Sequence, residues 1–301
     1  VLNNLSIFFR QNQIISNFET SDSWVVLSEI EKSIKCKVER AGVPLKDWDI
    51  QINYGIKTGY NEAFIIDGSK KKELIDEDPK SAEIIRPLLR GRDIKRYSYE
   101  FADLHLITTF PSLKIDINCY PAIKQHLMTF GYNRLKQTGD TGSRKKTNNQ
   151  WYETQDSISY WEDFYKQKII YPGLMRISKG DPNNFPRFTL DDSQNFFFGN
   201  DCYFIVGEHL EYLWAFLNSN LLGYLFRYYI YSFDETGYKI FTDYFENIPL
   251  PLPDSDSLQE LNALIKTGAP KDQINTWIYK ALKFDDNEIN EIEESRLTIS
   301  R

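Results

Sequence analysis

The chain has 301 residues, 41% hydrophobic and 15% aromatic, enough for one large or two modest domains with buried cores. Three widely separated cysteines (Cys36, Cys119, Cys202) with no Cys-x-x-Cys, and only three histidines, argue against a disulfide framework or a structural zinc site. A formal net charge of −7 speaks against a uniformly basic nucleic-acid binder, yet residues 80–187 hold 18 Lys/Arg against 11 Asp/Glu, whereas residues 234–301 hold 7 against 14.

Helical spacing of Leu27, Ile30, Ile34 and Val38 predicts an amphipathic helix from Trp24 to about Arg40, with Ser23 as N-cap and Gly42 beyond the last turn. Asp49–Tyr54 and Ala63–Asp67 are β-prone, so the Gly55–Gly59 turn is expected to join two strands. Asp78-Pro79 predicts a short helix through Leu89, and Asn118 with Pro121 another to about Phe130, with a strand Leu104–Phe110 between them. Gln137–Gln150 holds no apolar residue and reads as a solvent-facing loop, followed at once by Trp151, Tyr152, Tyr160 and Trp161.

Lys168–Tyr171, Arg187–Leu190, Asn195–Phe198 and Cys202–Val206 read as short strands. Glu208–Tyr231, apolar almost all round, reads as one long helix buried against the sheet. Ile248-Pro-Leu-Pro-Leu-Pro253 marks a boundary, and Leu258–Lys266, Gln273–Phe284 and Asn287–Glu294 read as three helices of an acidic tail. No apolar run approaches the roughly 20 residues needed to span a bilayer, and no charged-then-apolar signal pattern opens the chain, so a cytoplasmic location and no membrane partner are expected. The chain opens on Val1 rather than Met, and a piece of something longer is expected.

Catalytic signatures are missing. An adenine-accepting Asn-Pro-Pro-Tyr loop has no better counterpart than Asn183-Asn184-Phe185-Pro186, and no Glu is followed two positions later by Lys, as a common metal-dependent nuclease would require. The lysine of Gly55–Gly59 precedes the second glycine, which excludes a P-loop. Neither catalytic nor metal-ligating residues are assigned. His105, His126 and His209 lack ligand-spaced partners and read as structural, and Asp285, Asp286, Glu288, Glu291, Glu293 and Glu294 read as a solvated face.

What remains is binding chemistry. The Gly55–Gly59 turn, with Lys57, Thr58 and Asn61, brings backbone N–H groups and side-chain donors close to any anion it meets, or is a plain hairpin. Arg86, Arg90, Arg92, Lys95 and Arg96 face only one nearby acid, Asp93. They suit phosphates or a guanine edge, or form a solvated turn in which Asp93 pairs with one arginine. Arg144, Lys145 and Lys146 beside Trp151 combine cations with a stacking ring, or lie in a surface loop beside core aromatics. Arg176 and Lys179 sit on a loop after a strand, and Lys239 in Thr236-Gly237-Tyr238-Lys239 follows the long helix. An ordinary hairpin and a simple linker are the alternatives for these two.

Taken in order, Tyr54–Asp67 and Ile84–Tyr97 resemble the start of the TaqI-like specificity domain, the target recognition domain of type IIG restriction–methylation enzymes and related adenine-N6 DNA methyltransferases. Lys168-Ile-Ile-Tyr-Pro172, Phe188-Thr-Leu-Asp-Asp192, Cys202-Tyr-Phe-Ile-Val206, Tyr212-Leu-Trp-Ala-Phe-Leu-Asn-Ser-Asn220 and Glu246-Asn-Ile-Pro-Leu-Pro251 continue the resemblance over roughly residues 48–253. Only Gly55, Lys57, Thr58, Gly59 and Asn61 carry over from a matched motif, with Gly55 and Gly59 as turn formers. The other site residues are placed by chemistry.

The resemblance implies an α+β fold: a mixed, curved β-sheet target recognition domain (48–253) with a long buried helix, an N-terminal helical connector (1–47) and an acidic helical tail (254–301). It implies sequence-specific binding of double-stranded DNA. It also implies upstream methyltransferase and nuclease modules of the same polypeptide, using S-adenosylmethionine and Mg2+, with no cofactor in this chain. The alternatives are a protein-interaction module without DNA binding and a specificity subunit of a type I restriction system, which normally needs a second recognition domain and long spacer helices.

Overall fold

The computed structural model describes residues 27–193, 195–268 and 270–297, so Ser23 and Trp24 lie outside the described residues. At its centre is a four-stranded antiparallel sheet in the order Thr189–Asp191, Lys168–Pro172, Cys202–Gly207, Ile50–Tyr54. Side chains alternate across a strand, and here both faces are covered. Ile169, Tyr171 and Ile205 enter one apolar cluster, whereas Ile170, Phe204 and Val206 enter another. The sheet is therefore a wall shared by two cores, which explains why Lys168-Ile-Ile-Tyr-Pro172 is apolar without alternation.

Behind one face lies a second sheet, ordered Phe197–Phe198, Ile85–Leu89, Leu104–Ile107, Ile65–Asp67, whose first pair is parallel. A three-stranded ribbon (Tyr231–Asp234, Gly237–Lys239, Leu174–Arg176) and two short pairs, Val43–Pro44 with Pro249–Leu250 and Ile94–Lys95 with Ser98–Tyr99, complete the strands. The fold is mixed α+β, but several small sheets stand where one curved sheet was expected.

The expected long helix is two helices, Leu210–Leu217 and Asn220–Tyr229. Ser219 turns extended and its hydroxyl accepts the Leu222 N–H at 3.1 Å, a side-chain cap that starts a new helix where apolar periodicity alone runs on. The helix expected from Asp78 through Leu89 is also corrected. The Asp78 carboxylate does accept the Lys80 N–H, but Pro79–Ile84 is a 3-10 segment and Ile85–Leu89 a strand. Pro87 lacks an N–H and holds Arg86 extended. Ala63–Asp67 divides into a helical turn Asn61–Phe64 and a strand Ile65–Asp67. Asp116 rather than Asn118 caps a short turn ahead of helix Pro121–Thr129.

Helix Glu29–Ala41 starts from a capping box between Ser28 and Glu31. It buries Ile34 and Val38 in the same cluster as Leu261, Ile274, Ile278 and Ile292 of the tail helices Ser255–Lys266, Lys271–Ala281 and Asp286–Ser295. Each fully buried Ile or Leu contributes roughly 1.5–3 kcal/mol. Lys37 adds an ion pair to the buried Glu288 at 2.6 Å.

Candidate nucleic-acid interface

The Gly55–Gly59 turn is not a hairpin. It carries the chain from the central sheet to the second one, because Ile50–Tyr54 pairs with Cys202–Gly207 and Ile65–Asp67 with Leu104–Ile107. Gly55 presses on the Gly199 turn so closely that a Cβ would overlap the Gly199 carbonyl. Two hydrogen bonds lock the approach, Ile56 N–H to Phe198 O at 2.9 Å and Asn200 N–H to Ile56 O at 3.0 Å. Gly59 has φ +78°, a region that favours glycine. Thr58 is buried, donates to Asn61 Oδ1 at 2.6 Å and accepts the Tyr60 N–H, so its hydroxyl shapes the turn rather than facing a ligand. The half-buried Lys57 amine has no side-chain partner among the described residues, and Asn61 is exposed.

Arg144 was expected on the outside and is corrected: it is 2% exposed. Its guanidinium donates to four carbonyls, Leu135 at 2.7 Å, Thr58 at 2.8 Å, Glu153 at 2.7 Å and Trp151 at 2.7 Å. Burial pulls its pKa down to about 10. This side chain folds the polar loop back onto the glycine turn, and it leaves Lys145 and Lys146 exposed on the loop's returning arm with no carboxylate partner among the described residues. Gln137, at the loop's start, is likewise buried and donates to the Gln150 and Glu153 carbonyls. Trp151 is half-buried and packs edge-on to Tyr132 and Tyr152.

The basic turn divides in a similar way. Arg90 clasps Asp93 through Nε at 2.9 Å and Nη2 at 2.7 Å. Burial pushes the Asp93 carboxyl up, but hydrogen bonds and charge from Arg90, with the charge of Arg92, hold it below its ordinary value. Lys95 pairs with Glu100 at 3.2 Å. Arg96 is buried, which removes it from any phosphate: it donates to the Asn218 carbonyl at 2.8 and 2.5 Å and to Asn220 Oδ1 at 2.7 Å. Desolvation lowers its pKa. Arg86 donates to the carbonyls of Ala82, Ile85 and Glu83. Of this group only Arg92 is exposed without a partner among the described residues.

The two turns meet at Asp201. Its Oδ2 accepts the Gly91 N–H at 3.0 Å, its carbonyl accepts the Gly173 N–H at 2.8 Å, and its neighbour Asn200 is bound to Ile56. Beyond Gly173 the ribbon places Leu174 opposite Lys239 and Arg176 opposite Gly237. Arg176 is paired with Asp234 and donates to Thr236 at 2.9 Å, whereas Lys239 stands over the Phe241 ring at 4.8 Å and Lys179 is exposed. Thr236–Lys239 is thus a ribbon turn and strand, not a linker.

Hydrogen bonds tie the segments that carry these residues into one edge, the rim: Asn149 donates to the Gln155 carbonyl at 2.9 Å, the Gln155 N–H to the Lys57 carbonyl at 3.0 Å and the Asn200 N–H to Ile56, and Asp201 joins the Gly91 and Gly173 turns. Sequence reasoning missed Asn200 and Tyr54. Tyr54 is 47% exposed and lines a polar cleft with Asn148, Asn149, Gln155, Asp156 and Tyr160. The Gly-Asn-Asp turn signal was the one clue to Asn200. His105 and His126 sit on structural partners, Lys71 and the Ala63 carbonyl, and burial lowers both pKa values. Among the described residues no three His, Cys, Asp or Glu side chains could hold a metal ion, and no helix is long and apolar enough to cross a membrane.

The family profile described as the TaqI-like C-terminal specificity domain matches residues 86–250. The match starts at Arg86, so the Gly55–Asn61 motif precedes it. The fold is similar to that of the type IIG restriction endonuclease BpuSI, with TM-score 0.57 and 17% identity over 89% of this chain and 32% of that one. It is also similar to the type IIL restriction-modification enzyme MmeI, solved in complex with DNA, with TM-score 0.53 and 15% identity over 84% of this chain and 36% of that one. At these identities the likeness is one of fold, and the chain spans about a third of the length of the structures it matches. The comparison with curated proteins gave no match. The profile covers more than half of the 301 residues, and the chain belongs to the TaqI-like C-terminal specificity domain family, a specificity domain of the kind found in type IIG restriction–modification enzymes.

Proposed function

We propose that this chain binds duplex DNA sequence-specifically along the rim, with Lys57, Arg92, Lys145 and Lys146 on phosphates and rim side chains on base edges. The observation that carries the reading is a division of labour among the cations. Arg90, Arg96 and Arg144 are spent on internal partners, whereas these four keep no carboxylate partner among the described residues and lie on turns tied together by backbone hydrogen bonds. Binding would place upstream methyltransferase and nuclease modules of the same polypeptide over the site, and S-adenosylmethionine and Mg2+ would belong to those modules.

Selection from a random duplex library at low and moderate salt, compared with a Lys145→Ala/Lys146→Ala variant, tests this reading. An enriched motif that the variant weakens is expected. No enrichment with the folded chain, and none with the upstream region restored, would sink it.

One observation favours a second reading, a protein-docking surface: Tyr231, Phe233, Phe241 and Tyr244 are all exposed around the ribbon. Binding of that kind would change little with salt.

A further inference from the structure

Asn200 is the tip of a tight turn closed by the Cys202 N–H on the Gly199 carbonyl at 3.0 Å. Every side of that turn is fixed by another segment. Asn200 donates its own N–H to Ile56 O at 3.0 Å, and Gly55 packs against Gly199 with no room for a side chain. Asp201 holds the Gly91 N–H with its carboxylate at 3.0 Å and the Gly173 N–H with its carbonyl at 2.8 Å. Gly173 is itself packed on the Tyr203 ring, where a Cβ would come within 2.8 Å.

The side chain of Asn200 contrasts with this crowding: it is exposed, and its amide has no hydrogen-bond partner among the described residues. An Asn in a turn ordinarily bonds its own backbone two residues on. Here the donor and the acceptor are both left open on a backbone that three other segments, at Gly55–Ile56, Gly91 and Gly173, immobilise. The nearest chain neighbours of the two locking contacts are Lys57, after Ile56, and Arg92, after Gly91, both available for phosphates.

Resting on the DNA reading above, we infer that Asn200 is a specificity-determining residue that reads an adenine. Its amide NH2 donates to N7 and its amide carbonyl accepts from the N6 amine, the bidentate pairing that geometry allows an Asn and an adenine edge in the major groove. The fixed turn supplies the pre-organisation that such a pairing needs.

The test is motif selection by the full chain carrying Asn200, Asn200→Ala, Asn200→Asp or Asn200→Arg, with each variant's melting curve confirming the fold. The parent is expected to prefer adenine at one position. Asn200→Ala and Asn200→Asp should lose that preference by about tenfold there and nowhere else, and Asn200→Arg should shift the same position toward guanine. Unchanged base preferences in all three folded variants would overturn the inference while leaving DNA recognition intact. So would a loss of affinity spread evenly over every sequence, which marks a phosphate contact. If the parent selects no motif, with or without the upstream region, the DNA reading itself has failed.

Discussion

The guanidinium of Arg144 reaches the carbonyl of Thr58 at 2.8 Å across 86 residues of sequence. One buried side chain thereby sets the position of the loop that carries Lys145 and Lys146. Arg144→Ala strands four carbonyls in a water-poor site, and we expect a loss of roughly 3 kcal/mol or more in urea unfolding. Lys145→Ala and Lys146→Ala should stay within about 0.5 kcal/mol of the parent. A stable Arg144→Ala protein would show that the four bonds are not what holds the loop. A variant that removes all three cations at once would mix unfolding with lost affinity.

Salt dependence separates phosphate contact from packing. Each phosphate contact steepens the fall of log affinity with log salt by about 0.9, so Lys145→Ala/Lys146→Ala should flatten the slope by about 1.8 for a duplex target. A parallel line of equal slope would remove both lysines from the backbone contacts.

Lys168 and Asp191 form an ion pair at 2.7 Å with both side chains almost wholly buried. Burial raises the Asp191 carboxyl, but the charge and hydrogen bond of Lys168, with bonds from Ser193 and the Phe196 N–H, hold it below its ordinary value. A carboxylate whose folded pKa is depressed contributes stability above its unfolded value of about 4 and loses it as pH falls through the lower folded value. Asp191→Asn should therefore cost about 3–5 kcal/mol at neutral pH, because Lys168, whose pKa burial already lowers, loses its partner and must stay charged unpaired or give up its proton. It should also flatten the decline of melting temperature below pH 4. A variant whose acid limb is as steep as the parent's would assign that limb to other carboxylates, such as Asp93 and Glu288, whose values are also lowered.

Asn218 ends the first of the two central helices, and its side chain donates to the Phe188 carbonyl at 2.9 Å while accepting the Phe188 N–H at 3.1 Å. Its own carbonyl receives Arg96. Asn218→Ala leaves the Phe188 N–H unmatched in the core, while the Phe188 carbonyl keeps the Trp214 Nε1 donor at 3.0 Å, and should destabilise the chain by roughly 1–3 kcal/mol by chemical denaturation. Asn218→Asp, which keeps the acceptor but not the donor, should fall between the two. Equal stability of all three would deny this bridge any weight.

Much of the fold was legible where local signals and tertiary packing agree. The first and last tail helices carry their own caps, Asp254 and Asp285, and all three appear close to where periodicity put them. The Lys168 and Cys202 strands were readable from unbroken β-prone apolar runs. What failed depended on partners far away in sequence. The break at Asn218–Ser219 is invisible to hydrophobic periodicity, because both helices are buried and only hydrogen bonds to Phe188 and Leu222 separate them. An arginine in a polar stretch looks solvent-facing until the carbonyls that surround it are known. This is why Arg96 and Arg144 were misplaced while Lys145 and Lys146, with nothing to bond, were not. Asn200 went unnoticed for the complementary reason: its openness is defined by neighbours that leave it alone.

The chain closes on itself twice near its outer segments, at the Val43–Leu250 strand pair and at the Lys37–Glu288 ion pair. The outer helices do not stand apart from what lies between: Phe216 packs against Trp277, Asn220 is bonded to Asn275 and Glu293, and Tyr228 reaches Glu31. In evolutionary terms the two central helices are therefore tied to the ends of the chain, and an exchange of the exposed loops between relatives would have to leave residues 210–229 with their partners.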